Sequence, residues 1–286
     1  MKSLLNKIKN FLRCPLDYSA QFELSGGVFI CRGCKKEYGI RDGKVIFDHP
    51  PSDVLVCTKR NPIDKTKWSE WRAANFEYLK SFLLEEEKNK ILIDIGAGTA
   101  SFRELTGSFK TTIGIDFYPH EMVDVVADVT KPLPIRDESC DIVFLSNVLE
   151  HIPEPQPLLD ECYRILKPRG YIIGAVPFLM QIHQEPYDFN RYTDFMLERM
   201  LAHSGFERTR VTSLGTPLDV YRTMQREYFH ILLNKQLSVN IFKNSVLQFA
   251  IRFTRKITYL FTRIYKLFPL LSSNRYTEGY GFIGYK

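Results

Sequence analysis

Leu92-Ile-Asp-Ile-Gly-Ala-Gly-Thr-Ala-Ser101 is the stretch that decides the fold. A short apolar strand runs into Asp94 and Ile95 and breaks at Gly96 and Gly98. Glycine takes positive φ there and lets the backbone approach a ligand closely. A strand ending in such a turn opens the ligand crevice of a parallel α/β sheet. The loop alone accommodates a nucleotide, a dinucleotide or S-adenosylmethionine, so the residues that follow must choose.

Working outward, the pattern alternates. Strands are expected at 91–95, 111–115, 123–127, 141–146 and 170–176, with helices near 101–109 and 156–167. That alternation implies a parallel sheet with covered faces. A helix near 193–204, a strand near 206–213 and a last strand in GYGFIGYK, 279–286, continue the series. Upstream, Trp68 to Lys88 reads as a helix, because Trp71, Ala74, Phe76, Leu79, Phe82 and Leu83 recur at near-helical spacing. Residues 12–48 are short β-prone pieces split by glycines, the pattern of a small hairpin-built module. The expected organisation is a ribbon module at 1–50, a linker and helix at 51–90, an α/β core at 91–218, a helical insertion at 219–275 and a final core strand at 276–286.

The chain has 286 residues with 44% hydrophobic and 25% charged residues, an ordinary globular balance. No run approaches the roughly 18–20 apolar residues of a spanning helix. MKSLLNKIKNFL lacks the long apolar run and cleavage site of a secretory signal, and six cysteines with a single CxxC fit a reducing compartment. A cytoplasmic location is the expectation. The net charge of +6 is unevenly placed: between Glu227 and Glu278 there is no acid, and eight basic residues leave −2 on the rest of the chain.

The second strand ends at Asp116, followed by Phe117, about twenty residues beyond the glycine turn. A carboxylate there accepts hydrogen bonds from both ribose hydroxyls of an adenosine; otherwise it is a solvated strand-end acid. A third acid, Asp128, follows the next apolar strand. An adenine amino group needs an acceptor at that place, whereas a nicotinamide-binding unit does not need this series. DIGAGTA at 94–100, GID at 114–116 and the long run ADVTKPLPIRDESCDIVFLSNVLEHIPEPQPLLDECYRILKPRGYIIGAVP at 127–177 resemble the consecutive motifs of class I S-adenosylmethionine-dependent methyltransferases, of the ubiquinone/menaquinone and glycan-modifying type. The resemblance implies a three-layer Rossmann-like sheet. It also implies that Asp94, Ile95, Gly96, Ala97 and Gly98 cradle the methionine part of the cofactor. Asp116 and Phe117 would hold the ribose, Asp128 and Val129 would face the adenine, and Ser146, Asn147 and His151 would stand at the exit of the fourth strand. Ser101 departs from the usual Gly or Ala, against a dinucleotide fingerprint.

After the fifth strand, PFLMQIHQEPYDFNRYT at 177–193 is dense in groups that bond or titrate. It resembles a subset of methyltransferases of bacterial surface-polysaccharide or secondary-metabolite type. His183 has the right ordinary pKa to take a hydroxyl proton, Asp188 is placed to orient it, and Arg191 to bind an anionic group; Tyr192 and His151 complete the candidates. The competing reading is a loop lock in which Asp188 pairs with Arg191.

Near the amino terminus, Cys14, Cys31 and Cys34 stand in an outline that resembles the zinc-ribbon activator domain found beside RNA and protein methyltransferases. The first metal-binding pair reads Cys-Pro-Leu-Asp, so Asp17 would be the fourth ligand of a zinc ion, or else the ribbon has lost its metal. Cys57, Cys140 and Cys162 read as ordinary small apolar residues.

The acid-free segment 242–268 has Ser245, Gln248, Arg252, Arg255, Lys256, Arg263 and Lys266 within one sector at 100° per residue, and Phe242, Val246, Phe249, Ala250, Phe253, Ile257, Leu260, Phe261, Ile264, Leu267 and Phe268 opposite, with Pro269 as the stop. A basic polar face on a wide apolar face suits an anionic membrane surface. The alternatives are packing on the sheet or a second subunit, and RNA. The expected reaction is therefore O-methylation of a glycan, a lipid-linked intermediate or a small metabolite, by an enzyme peripheral to the inner membrane face. Methylation of tRNA, rRNA or protein is the alternative, against which no Asn-Pro-Pro-Tyr type motif follows the fourth strand; a non-catalytic cofactor-binding protein is the third reading.

Overall fold

In a computed structural model, residues 8–48, 68–83, 85–98, 102–235, 241–265 and 276–286 are described. Cys57, Ser101 and 266–269 lie outside them. The chain builds an α/β sheet whose core strands are β5 (Ile91–Ile95), β6 (Thr111–Asp116), β7 (Val125–Val126), β8 (Cys140–Ser146) and β9 (Leu166–Pro177), all parallel, in the order β7-β6-β5-β8-β9. The final strand β11 (Gly279–Tyr285) inserts antiparallel between β9 and β10 (Glu207–Leu214). That insertion sets the sheet apart from an all-parallel dinucleotide sheet.

Leu92, Ile93, Ile95, Ile115, Val143, Leu145 and Ile172 are buried, so the central strands read as continuous apolar runs because both of their faces are covered. Ile95, expected among the cofactor contacts, is one of them. Its side chain packs in the core, and only its backbone leads into the turn.

Helix α1 (Glu70–Lys80) starts at Ser69, whose hydroxyl accepts the Arg72 amide at 3.2 Å, and ends where the Ser81 hydroxyl donates to the Tyr78 carbonyl at 2.6 Å. It is shorter than its periodicity predicts, and a 3-10 turn at Glu85–Asn89 leads into β5. The first core helix, α2, is only Arg103–Thr106, and α3 (Gln156–Ile165) and α4 (Asp194–His203) lie close to their expected bounds.

The amino-terminal strands β1 (Phe22–Ser25), β2 (Val28–Cys31), β3 (Glu37–Arg41) and β4 (Lys44–Ile46) form an antiparallel ribbon that extends the main sheet. β4 pairs parallel with β7, Val45 opposite Val125 and Ile46 opposite Val126. Leu12, Phe22, Phe29 and Val45 share one apolar cluster with Ile113, Val125 and Ile135, so the ribbon has no separate core. Arg136 fastens it by donating to the carbonyls of Leu12, at 2.9 Å, and Ala20. Asp48, just past β4, accepts the Asp128 amide at 3.0 Å and pairs with Lys131 at 2.8 Å. The ribbon thus holds the loop after β7.

The insertion before β11 is two helices, α5 (Pro217–Lys235) and α6 (Ile241–Tyr265), packed on each other. Ile251 and Thr258 are buried, while Phe249, Phe253, Leu260 and Phe261 are more than half exposed. Among the described side chains, the apolar face is therefore largely open. No helix among the described residues is long and apolar enough to cross a membrane.

Asp48→Ala removes one charge-assisted hydrogen bond and one ion pair. The expected loss is about 1–2 kcal/mol of stability, a few degrees in Tm, with faster hydrogen exchange at the Asp128 amide. Unchanged exchange there would show that the ribbon does not brace this loop.

Candidate functional site

At the carboxyl ends of the parallel strands lies a cavity of about 720 Å³. Its walls include Asp94, Gly96, Ala97, Gly98, Asp116, Phe117, Asp128, Val129, Ser146, Asn147 and His151. Ten sequence-predicted cofactor residues thus converge on one space, with His151 beside them. Gly96 has φ +72°, and a Cβ there would run into the Val148 side chain. Only glycine fits this turn.

The turn is bonded to the neighbouring strand. Gly96 and Ala97 donate to the Ile115 carbonyl at 2.8 and 3.1 Å, and the Gly98 amide donates to Asp116 Oδ2 at 2.8 Å. The other oxygen, Oδ1, accepts from Tyr118 at 2.9 Å. Each carboxylate oxygen keeps acceptor capacity for one more donor. Asp128 takes Thr130 into an Asx turn through Oδ1, at 3.0 Å to the amide and 2.7 Å to the hydroxyl, and Lys131 lies 3.3 Å from Oδ2. Asp94 is buried at 8% exposure. Burial, reinforced by Asp116, raises its pKa to about 7.

Sequence reading missed several lining groups. Arg72 lines the cavity from just inside α1, and Asn75, fully buried on the same helix, reaches Ser146 and Asn147 at 3.4 Å. The signal for Asn75 is a polar residue on the apolar stripe of a helix. Tyr118, His120, Gln184, Tyr187 and Phe189 also line the walls.

The loop after β9 is arranged differently from the expectation. Arg191 grips Asp188 with Nη1 at 2.6 Å and Nη2 at 2.8 Å, and also donates to the Asn190 and Gln181 carbonyls at 2.8 and 3.1 Å. The Arg191 hydrogen bonds hold Asp188 well down, to a pKa of about 2. Arg191 is therefore occupied inside the loop and is not placed to bind an anionic substrate group. Tyr192 is buried, and its hydroxyl donates to the Leu149 carbonyl at 2.9 Å, so it anchors the loop. His183 and Asp188 meet as expected, Nδ1 to Oδ2 at 3.1 Å. His183 is not in the cavity wall but packs edge-on against His151, which is, with ring centroids 5.0 Å apart. Burial lowers the His151 pKa, favouring the neutral ring. Glu150, beneath both imidazoles, is fully buried, and burial raises its pKa to about 8.

In the ribbon, Cys14, Asp17, Cys31 and Cys34 come together. Cys14 Sγ is 3.7 Å from Cys34 Sγ, and Cys31 Sγ is 3.4 Å from both Asp17 oxygens. Tetrahedral ligands at about 2.0–2.3 Å from zinc lie roughly 3.3–3.8 Å apart, so the donor set fits that ion. The two loops carrying the ligands match each other: the Tyr18 amide donates to the Cys14 carbonyl at 3.0 Å and the Lys35 amide to the Cys31 carbonyl at 3.0 Å, with φ of 60° at Tyr18 and 63° at Lys35. Cys140 and Cys162 are buried as expected.

Residues 93–174 match the family described as "Methyltransferase domain". An uncharacterized methyltransferase of Mycobacterium leprae is 31% identical over 96 residues, covering 29% of this chain and 36% of that protein. A malonyl-acyl-carrier-protein O-methyltransferase of Marinomonas is 41% identical over 54 residues, 19% of this chain and 20% of that one. The chain thus spans about a third or less of the length of these relatives. An S-adenosylmethionine-dependent methyltransferase from Archaeoglobus fulgidus aligns at 22% identity and a TM-score of 0.47, over 75% of this chain and 94% of that one. The match to the methyltransferase-domain family thus falls on 93–174, the segment that carries the glycine turn and the acidic strand ends lining the cavity.

Proposed function

We propose that the protein transfers a methyl group from S-adenosylmethionine to a hydroxyl of a glycan, a lipid-linked intermediate or a small metabolite. The observation that carries this reading is the cavity itself, whose walls bring the glycine turn and three carboxylates together with His151, Gln184 and Tyr187. When bound, S-adenosylmethionine supplies a sulfonium methyl that needs only an aligned nucleophile. Asp94 receives the cofactor's ammonium group. Asp116, already fixed by two backbone donors, takes the ribose hydroxyls. Asp128 and Val129 border the adenine, with Ser146 and Asn147 at the mouth between cofactor and acceptor. The acceptor loses its proton as the oxygen–methyl bond forms, and the imidazoles of His151 and His183 are the groups at that end suited to manage it. The ribbon ligands Cys14, Asp17, Cys31 and Cys34 hold a structural zinc ion in this reading.

Lipid attachment of the acceptor is favoured by α6. Its exposed Phe249, Phe253, Leu260 and Phe261 accompany exposed Arg252 and Lys256 in a segment without acids, the composition of a helix lying on anionic lipid. Flotation with vesicles containing anionic lipid is expected to carry the protein up, and Phe253→Asp with Leu260→Asp to abolish it. Failure of the unaltered protein to float removes the membrane reading and leaves methyl transfer standing.

Asp116→Ala loses a charged acceptor for the ribose, worth about 1.5–3 kcal/mol, so the cofactor Kd is expected to rise at least about tenfold. Calorimetric titration checks this, with label transfer from the cofactor's methyl into lipid, glycan and RNA fractions as the activity readout. Absence of cofactor binding by the unaltered protein would end the enzymatic reading; label entering RNA would transfer it to the alternative substrate class.

Asp94 gives the binding a pH profile. In the free protein its raised pKa keeps the proton on below about pH 7, and the cofactor's ammonium group requires the carboxylate. Binding therefore expels a proton at acidic pH, and affinity should rise about tenfold per unit up to pH 7 and then level. The free fold shows the opposite trend, losing this group's contribution as pH rises from about 4 through about 7. Asp94→Asn should flatten the binding profile apart from what Asp116 adds; an unflattened profile would assign the titration elsewhere.

A further inference from the structure

We propose that Glu150, His151 and His183 form a binding site for a divalent transition-metal ion at the acceptor end of the cavity. The three side chains bring Glu150 Oε1 within 3.7 Å of His151 Nε2 and 3.9 Å of His183 Nε2, and one ligand atom from each lies within 4.8 Å of the others. Ligands at about 2.1 Å from one ion stand roughly 3.0–3.4 Å apart, so the two carboxylate–imidazole gaps exceed that spacing by about 0.3–0.9 Å and no pair exceeds it by more than about 1.8 Å.

Three further observations point the same way. Both oxygens of Glu150 are buried without a hydrogen-bond partner, and so is His151 Nε2. A fully buried carboxylate with no donor is costly, and a cation between these atoms satisfies all three. The imidazoles are also wired as metal ligands are. His151 Nδ1 is 2.5 Å from the Tyr187 carbonyl, and His183 Nδ1 is 3.1 Å from Asp188, so each donates its Nδ1 proton away and turns an Nε2 lone pair toward Glu150. Asp188 is in turn fixed by Arg191 and by the His183 amide at 2.8 Å. The loop lock is the outer layer of this site, holding His183 against His151.

Two imidazoles and one carboxylate favour zinc, iron, cobalt or manganese in the divalent state and leave coordination positions open. The ion's function rests on the methyl-transfer reading; its binding does not. With the ion in place the imidazoles are not bases. The acceptor's hydroxyl oxygen completes the coordination and its pKa falls. Its proton passes to water, the oxygen–methyl bond forms as the sulfonium–methyl bond breaks, and S-adenosylhomocysteine leaves.

The test uses the full chain, stripped by chelator and titrated with Co²⁺. Thiolate-to-cobalt charge-transfer absorption reports the ribbon, whereas a nitrogen–oxygen site gives ligand-field bands without it. The expected result is one Co²⁺ of the second kind, weakened at least about a hundredfold in Glu150→Gln and in His183→Asn, and about 10–100-fold in Asp188→Asn. His183 is one-third exposed, so its variant keeps the core intact if Glu150→Gln fails to fold. No second cobalt in the unaltered protein, or a second cobalt that persists in His183→Asn, overturns the proposal. S-adenosylmethionine titrated in parallel shows whether the cofactor reading holds independently of that result.

Discussion

The hydrogen bond from the Gly98 amide to Asp116 is the interaction on which the site depends. It crosses from the turn after β5 to the end of β6, and with the Gly96 and Ala97 amides on the Ile115 carbonyl it fixes the turn to the adjacent strand. The turn is therefore part of the sheet and not a loose loop above it. Its constraint runs through the buried strands: β5 lies between β6 and β8, so the three acidic strand ends face one space only if this register holds. Asp94 is the buried one of the three, and burial raises its pKa to about 7. Isolated, such a carboxyl destabilises the fold; facing an ammonium group, it is a means of selection.

The central strands were legible because two covered faces demand unbroken apolar runs, and the residues lining the cavity at the glycine turn were legible because they sit at strand ends in chain order. Ile95 marks where that logic stops: the motif includes it, but the pleat sends its side chain into the core. The second half of the site was read in types and not in roles. Arg191 and Asp188 are three residues apart, near enough to pair with each other before either meets a substrate, and that local pairing won. Tyr192 followed the same course when its hydroxyl found the Leu149 carbonyl. Glu150 escaped notice because a glutamate one residue before a histidine gives no periodic signal; only the 3-10 turn at Leu149–His151 puts it under both imidazoles.

The two ends of the cavity differ in how they are held. The wall at the glycine turn is made of backbone geometry, with glycine and amide donors set by the sheet. The opposite wall, with His151, Gln184 and Tyr187, is made of side chains from the 3-10 turn after β8 and from the loop after β9, which is braced by Arg191, Tyr192 and Asn190, whose side-chain Nδ2 donates to the Ile152 carbonyl at 2.7 Å. A loop of this kind changes its chemistry by substitution without disturbing the strands below it.

The pairing of β4 with β7 has a consequence for assembly. Without the ribbon, β7 would be a bare sheet edge next to buried apolar side chains, a surface prone to joining other chains. Here the covering strand belongs to the same polypeptide, so its local concentration is set by the tether and not by how much of a partner is present. The edge is closed at any dilution, and the stoichiometry between the methyltransferase domain and the strand that completes it is one to one by construction.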